Sequence, residues 1–487
     1  MQITAKVNFG KDLGQNIGTV FEARDSDGQV LFGAGFMGLF NTHFRMDRWT
    51  LQFFVRHDDA EATYEKLPFP SDDAGNYLFD LDGRVYQFSP HHDRTARCYD
   101  DKSKAWVIDE RFGVEETASG EGMMRLAGKL LQSKGGEAWY DGAKILMKPD
   151  QGHYHHFYYA HGHFVFYQNN TPEWSKLHAI PWRPGDGPLD LDKAITLDLH
   201  YAGEDSFSAG QLGDEIIQSS NLGGVYAFDG AAWRIIRQSL KGVSHQLYSM
   251  LNWHDRMLIG HYPTGNLLEY VTKGTQLRHL ENWPPVLPGV STEVREAQTT
   301  CLFGGNVYVG VWPWAELWRY DHRGAQWHFV HRLFEHPPIM DEMNHPWEDR
   351  ILRYNETHEE ELVWNNWGNR ITGLVPMGDS LFISTSAKGC QQRDMRMEFL
   401  HDDEIWNEYR TVHRMRKPGC AAGPVAWKEG ETTLEFIVDS DRIAIAQDGT
   451  EIASAPADPK VVANVETAQI EWGKGMYGRF AGDVTPQ

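Results

Sequence analysis

The feature that most constrains this chain is a strand–turn–strand pattern that returns along most of its length. The clearest copy runs AQTTCLF, GGN, VYVGVW, PWA, ELWRYD, HRGA and QWHFVHRLF, from Ala297 to Phe334. The copy before it starts at His245 with HQLYSMLNW, HDR, MLIGHY, PTG, NLLEYV, TKGT and QLRHL. Upstream lie DEIIQSS with VYAFDG and AAWRIIR, then HFYYAHGHFVFYQNN, then NYLFDLDGRVYQFSPHH with ARCYDD and KAWVID. DGQVLFGAG and ITGLVPMGDSLFISTS mark a first and a last copy. The tight turns fall near Gly28, Gly83, Gly162, Gly213, Asp255, Gly305 and Asp379, roughly 40 to 80 residues apart. Each copy reads as a four-stranded meander, because strand patterning between turn residues is strong and helical periodicity weak.

Such meanders pack mainly on their neighbours, so a ring of them grows without thickening its core. The expectation is an all-β chain: a seven-bladed β-propeller over 1–423, with insertions near 110–150 and 335–368. EGMMRLAGKLLQS (121–133) reads as a short helix. After Gly423, TTLEFIVDS, DRIAIAQDGTEIASA and TAQIEWGKGMYGRF alternate like strands around a DG hairpin turn. Residues 424–487 are therefore expected as a C-terminal β extension, part small sandwich and part strands that close the ring with QITAKVNF.

Composition narrows the partners. The 18 Trp, 19 Tyr and 24 Phe favour strands, and 47 Gly supply turns. A formal charge of -22 argues against nucleic acid, whose phosphates need a basic face. An anionic ligand would have to meet a local positive cluster. Cys98, Cys301, Cys390 and Cys420 are too few for a disulfide framework, and Cys390, Cys420 and His413 lack a CxxC spacing for a metal. No apolar run spans a bilayer. The opening MQITAKVNFG lacks the basic and apolar regions of a signal peptide. A secreted or periplasmic protein whose leader is missing from this sequence is the favoured expectation, with a cytoplasmic one as the alternative. The assembly is expected to be a monomer or small homo-oligomer.

In a four-stranded blade, the start of strand one and the loop from strand two to three share a face. Residues at those positions should converge on a central pocket. They are His43, Arg45 and Arg48; His91, His92 and Arg94; His153, His155, His156, Asn169 and Asn170; Gln218 and Asn221; His245, Tyr248, His261 and Tyr262; Trp312 and Trp314; and Asn369 and Arg370. Imidazoles exchange protons near neutral pH, amides bind hydroxyls or carboxylates, and Trp faces stack on sugars. His161 and His163, flanking Gly162, read as turn residues. A metal on His153 and His155 finds no carboxylate nearby in sequence.

This set resembles that of the seven-bladed polysaccharide lyases that cleave ulvan, and of the related propeller rhamnosidases, over roughly 20–420. The resemblance implies a His at the start of an inner strand, which His153 or His155 fits. It implies a second His in the following loop, where this chain has Asn169 or Asn170. It implies a Tyr/Arg pair on a later blade, where His245 or Tyr248 and His261 stand.

The leading expectation is a lyase that cleaves a uronic-acid polysaccharide or oligosaccharide by β-elimination. His153, His155, His245 or His261 would be the base, and Tyr248 or Tyr262 the acid. Asn169, Asn170 or Arg370 would neutralise the carboxylate. His91, His92, Arg94, Gln218, Asn221, Trp312, Trp314 and Asn369 would bind substrate. No cofactor is required, although calcium or zinc could assist. The alternatives are a glycoside hydrolase, for which Asp93, Asp205 and Glu316 are the nearest carboxylates, and a non-catalytic carbohydrate-binding propeller.

Overall fold

The computed structural model describes residues 1–41, 44–57, 60–89, 95–109, 123–288, 290, 294–321, 323–336, 348–359, 368–387, 396, 402–458 and 468–487. The chain is all-β, built from repeated four-stranded antiparallel meanders that serve as propeller-type blades. In chain order they cover 77–108, 124–146, 153–198, 206–237, 246–280 and 296–332. A further one combines Asn369–Met377, Ser380–Ala387 and Val412–Arg416 with Thr63–Lys66 as its outer strand. They are referred to below as the first to seventh meanders.

Each meander packs on the next through apolar side chains. Met123 and Leu130 of the second reach the cluster of the first around Phe79 and Tyr86. Leu131 and Phe157 join the second to the third, Tyr167 and Tyr226 the third to the fourth, and Ile217 and Ile259 the fourth to the fifth. One large cluster runs on through Leu258, Val309 and Ile383 to Leu78 of the first. Thr372 Oγ1 donates to the Asn76 carbonyl at that last junction.

Six of the seven anticipated turns are hairpins between the first two strands of a meander. The turn at Gly28 is not. Gly18–Arg24 and Val30–Phe36 belong instead to a five-stranded sheet with Thr50–Val55, Cys420–Pro424 and Gln469–Trp472. A second five-stranded sheet joins Gln2–Asn8 to Glu431–Val438, Arg442–Gln447, Thr450–Pro456 and Asp483–Pro486. The two sheets share a core in which Phe436 lies 4.9 Å from Phe21 and 5.3 Å from Phe53, ring centre to ring centre. QITAKVNF therefore enters this sandwich, and the strand that completes the seventh meander is Thr63–Lys66. The sandwich covers the turn ends of the meanders: a Cβ on Gly305 (φ +71°) would lie 2.5 Å from the Phe54 ring.

The expected helix at 121–133 is corrected too. Met124–Leu126 and Lys129–Lys134 are antiparallel strands of the second meander. Ala127 (φ +49°) and Gly128 (φ +73°) form the turn between them, and Leu126 and Leu131 are buried. Within 335–368, Glu348–His358 is helical. Among the described residues, no helix is long and apolar enough to cross a membrane.

The middle of the blade set is not an open well. Phe44–Met46 pairs in parallel with the inner strand Tyr77–Leu81, and Leu39–Asn41 pairs antiparallel with the inner strand Ser206–Leu212. These two short strands pair with each other and satisfy two otherwise bare inner edges.

Candidate functional site

At the ends of the inner strands away from the sandwich, the predicted residues fall into separate clusters around this plug. Between the third and fourth meanders, His155 Nε2 lies 3.2 Å from Asp205 Oδ1 without the alignment of a hydrogen bond. Asn169 Nδ2 donates to the same oxygen at 2.7 Å, and the Asp205 amide donates to Asn221 Oδ1 at 3.0 Å. The rings of His153 and His156 each lie 5.0 Å from that of His155. Burial, then His156 and His153, hold the His155 imidazole down at about 3, so it is neutral at physiological pH. Burial pushes the Asp205 carboxyl above its ordinary range. Asn170 is spent on its own turn, donating to Glu173 at 2.8 Å.

The second cluster lies across loop 221–224 from the first. A Cβ on Gly223 would approach His245 Nδ1 to 3.0 Å. The rings of His245 and His261 are 4.3 Å apart, and His279 lies 5.9 Å from His261. Thr264 Oγ1 holds His261 Nδ1 at 2.9 Å, which leaves His261 Nε2 and His245 Nδ1 buried without a partner. Burial is the main cause of their depressed pKa values, about 3 for His261 and about 4 for His245, with Arg237 and the neighbouring imidazoles adding to it. The Arg237 guanidinium donates to the Gly223 carbonyl at 2.5 Å and makes no ion pair among the described residues. Burial alone lowers its pKa. Among the described residues, this group of a guanidinium and imidazoles pairs with no carboxylate, in an acidic chain. Half-buried Tyr262 follows His261 in the same strand.

The third cluster joins the fifth, sixth and seventh meanders. The single Tyr248 O–H is shared between Gln246 Oε1 at 2.6 Å and Glu296 Oε1 at 3.2 Å, and Arg370 lies 3.2 Å from Glu296. All but Gln246 are buried. Burial and Glu296 push the Tyr248 hydroxyl well above its ordinary range. Tyr248 and Arg370 are thus committed to a buried network, and Glu296 already answers the charge of Arg370.

Several other expectations are relocated. Trp312 and Trp314 are 1% and 2% exposed, too buried to offer a sugar a face. Trp314 packs on Phe334 and under Arg332. Asn369 is buried and donates to the Glu408 carbonyl at 2.9 Å. Gln218 accepts from Ser206 at 3.3 Å in the interior. Glu316 is sealed between Arg295 and Trp318. Arg48 is buried against Asp12. His43, His91, His92, Asp93, Arg94 and Cys390 lie outside the described residues, as does the side chain of Arg45. Cys98, Cys301 and Cys420 are buried thiols outside any disulfide. Among the described residues, no three His, Cys, Asp or Glu side chains are placed to hold a metal ion, so neither calcium nor zinc is assigned a site.

Arg237 and His279 were not foreseen. Both sit on outermost strands, where a charged or polar residue reads as solvated surface; pairing within the fifth meander brings His279 to His261, and packing of the fourth meander on the fifth brings Arg237 to both histidines.

No family model matches the chain, and no curated protein matches it. Among solved structures it is similar to the computationally designed Ika8 protein, at 10% identity and a TM-score of 0.38, covering 84% of this chain and 99% of that one. It is also similar to the WD40 β-propeller domain of Doa1, at 10% identity and a TM-score of 0.35, covering 72% and 96%. BamB from Moraxella catarrhalis gives 14% identity and a TM-score of 0.29, covering 69% and 87%.

Proposed function

We propose that the chain is a seven-bladed β-propeller enzyme that cleaves a uronic-acid-containing polysaccharide by β-elimination in the Arg237–His245–His261 pocket. The blade count is supported by five separate four-stranded sheets plus two four-stranded runs at the ends of the ten-stranded sheet. The reaction is supported above all by one observation: a guanidinium with no counter-ion beside imidazoles whose free nitrogens are buried and neutral.

Arg237 would neutralise the uronate carboxylate and so acidify the adjacent C–H. His245 or His261, uncharged at neutral pH, takes that proton. The electron pair forms the new C=C bond as the C–O bond to the 4-linked sugar breaks, and Tyr262 protonates the leaving oxygen. Exposed His153, across loop 221–224, would contact the neighbouring sugar.

The test is ultraviolet absorbance of the unsaturated product across a panel of uronides, with wild-type, H261A and R237Q chains. Absorbance that rises with wild-type and collapses in both variants is the expected result. Reducing ends released without absorbance would favour a hydrolase, for which Asp205, half exposed and with a raised pKa, is the best-placed carboxylate. Binding without turnover would favour a carbohydrate-binding module.

A further inference from the structure

A cavity of about 350 Å³ lies at the sandwich end of the molecule, at the opposite ends of the strands from the histidine clusters. Three parts of the chain meet there: residues 15–16, the turns of the fourth and fifth meanders with His161 of the third, and segment 477–481. Five side chains around it end in polar groups with no hydrogen-bond partner among the described residues: the amides of Asn16 and Asn252, the imidazoles of His161 and His254, and the Arg479 guanidinium.

Tyr477 is 3% exposed and packs in the core with Cys301 and Cys420, so it closes the floor of the cavity. His161 and His254 occupy the same turn position in two meanders, both with left-handed backbone (φ +48° and +58°). Burial holds both at about 4, so each ring is neutral and offers one donor and one acceptor. Arg479 is exposed and makes no ion pair, whereas Asp255 on the same cavity pairs with Arg256 at 3.5 Å.

We infer that this cavity is a second ligand site, for a monosaccharide-sized polyol carrying one anionic group. Amides and neutral imidazoles match hydroxyls, which both donate and accept. A lone guanidinium matches a carboxylate or phosphate. The volume falls in the range of small-molecule pockets. Because the ligand would touch both the sandwich and the blades, its binding would tie the two together. The site stands apart from the reaction proposed above.

Isothermal titration of the full chain with glucuronate, glucose 6-phosphate and glucose tests this, the first two distinguishing carboxylate from phosphate. At least one anionic sugar should bind about tenfold more tightly than glucose. R479Q, at an exposed position that leaves the fold intact, should bring that sugar down to the level of glucose. N252A should weaken the anionic sugar further, with circular dichroism confirming that both variants are folded. The inference is overturned if none of the three sugars gives heat, if glucose binds as tightly as the anionic sugars, or if affinity survives both substitutions.

Discussion

Acidification should destabilise this protein well above the pH at which carboxylates titrate. His155, His161, His178, His245, His254, His261 and His413 are each held by burial at about 3 or about 4, against an ordinary 6.5. They stay neutral in the fold but gain protons in the unfolded chain below pH 6.5. Their contribution is therefore complete above that value and is lost as pH falls toward the depressed ones. Moving from pH 7.5 to 5.5 costs about 1.4 kcal/mol for each, hence about 10 kcal/mol for the set. Partial exposure cuts this to about 5 kcal/mol. Asp80 opposes the trend. Burial, then Asp47, raises its carboxyl to about 7. It therefore takes up its proton first in the folded state, which stabilises by about 2 kcal/mol over the same interval. The net loss of about 3 kcal/mol is a large part of a typical folding free energy. Calorimetry at matched ionic strength should show Tm lower by about 3 °C at pH 5.5 than at pH 7.5. The dependence of the unfolding enthalpy on buffer ionisation should report several protons taken up. An unchanged or higher Tm at pH 5.5, or uptake of less than one proton, would refute the reasoning.

Other substitutions probe single contacts. R237Q should raise KM for an acidic substrate about tenfold or more, with far-UV circular dichroism unchanged, because it removes a cation that pairs with no carboxylate. Gly260→Ala should destabilise by about 2 kcal/mol or more in urea, since the new Cβ would sit 2.0 Å from the Ala297 carbonyl oxygen between the fifth and sixth meanders. Arg370→Ala should cost about 3–5 kcal/mol by stranding buried Glu296, and adding Glu296→Leu should recover most of that loss in the same urea titration.

The blade hairpins were legible because turn chemistry and period-two strands are local properties. GGN at 304–306 and HDR at 254–256 sit where expected. The second meander was not. In MMRLAGKLLQS the helix-forming residues Leu, Ala, Met and Lys outweigh a two-residue turn, and strand pairing with 137–140 overrides that propensity. DGQVLFGAG failed in the opposite way: it is a true hairpin, but its partners lie at 50–55 and 469–472, which no local pattern encodes. For the site, His245 and His261 were readable from their places at the start and end of paired strands. Tyr248 was readable as a position but not as a role, because its hydroxyl is consumed by Glu296 from the next meander.

By itself, then, the order of residues determined an all-β chain of repeated meanders and the strand ends from which imidazoles emerge. Those follow from interactions between neighbours a few positions apart. Only tertiary pairing and packing decided that 39–41 and 44–46 fill the middle, that both chain ends share a sandwich, and which polar side chains are spent on structure. It also gave Arg237 its neighbours His245 and His261, because burial and charge pairing depend on distances in space between residues far apart in sequence.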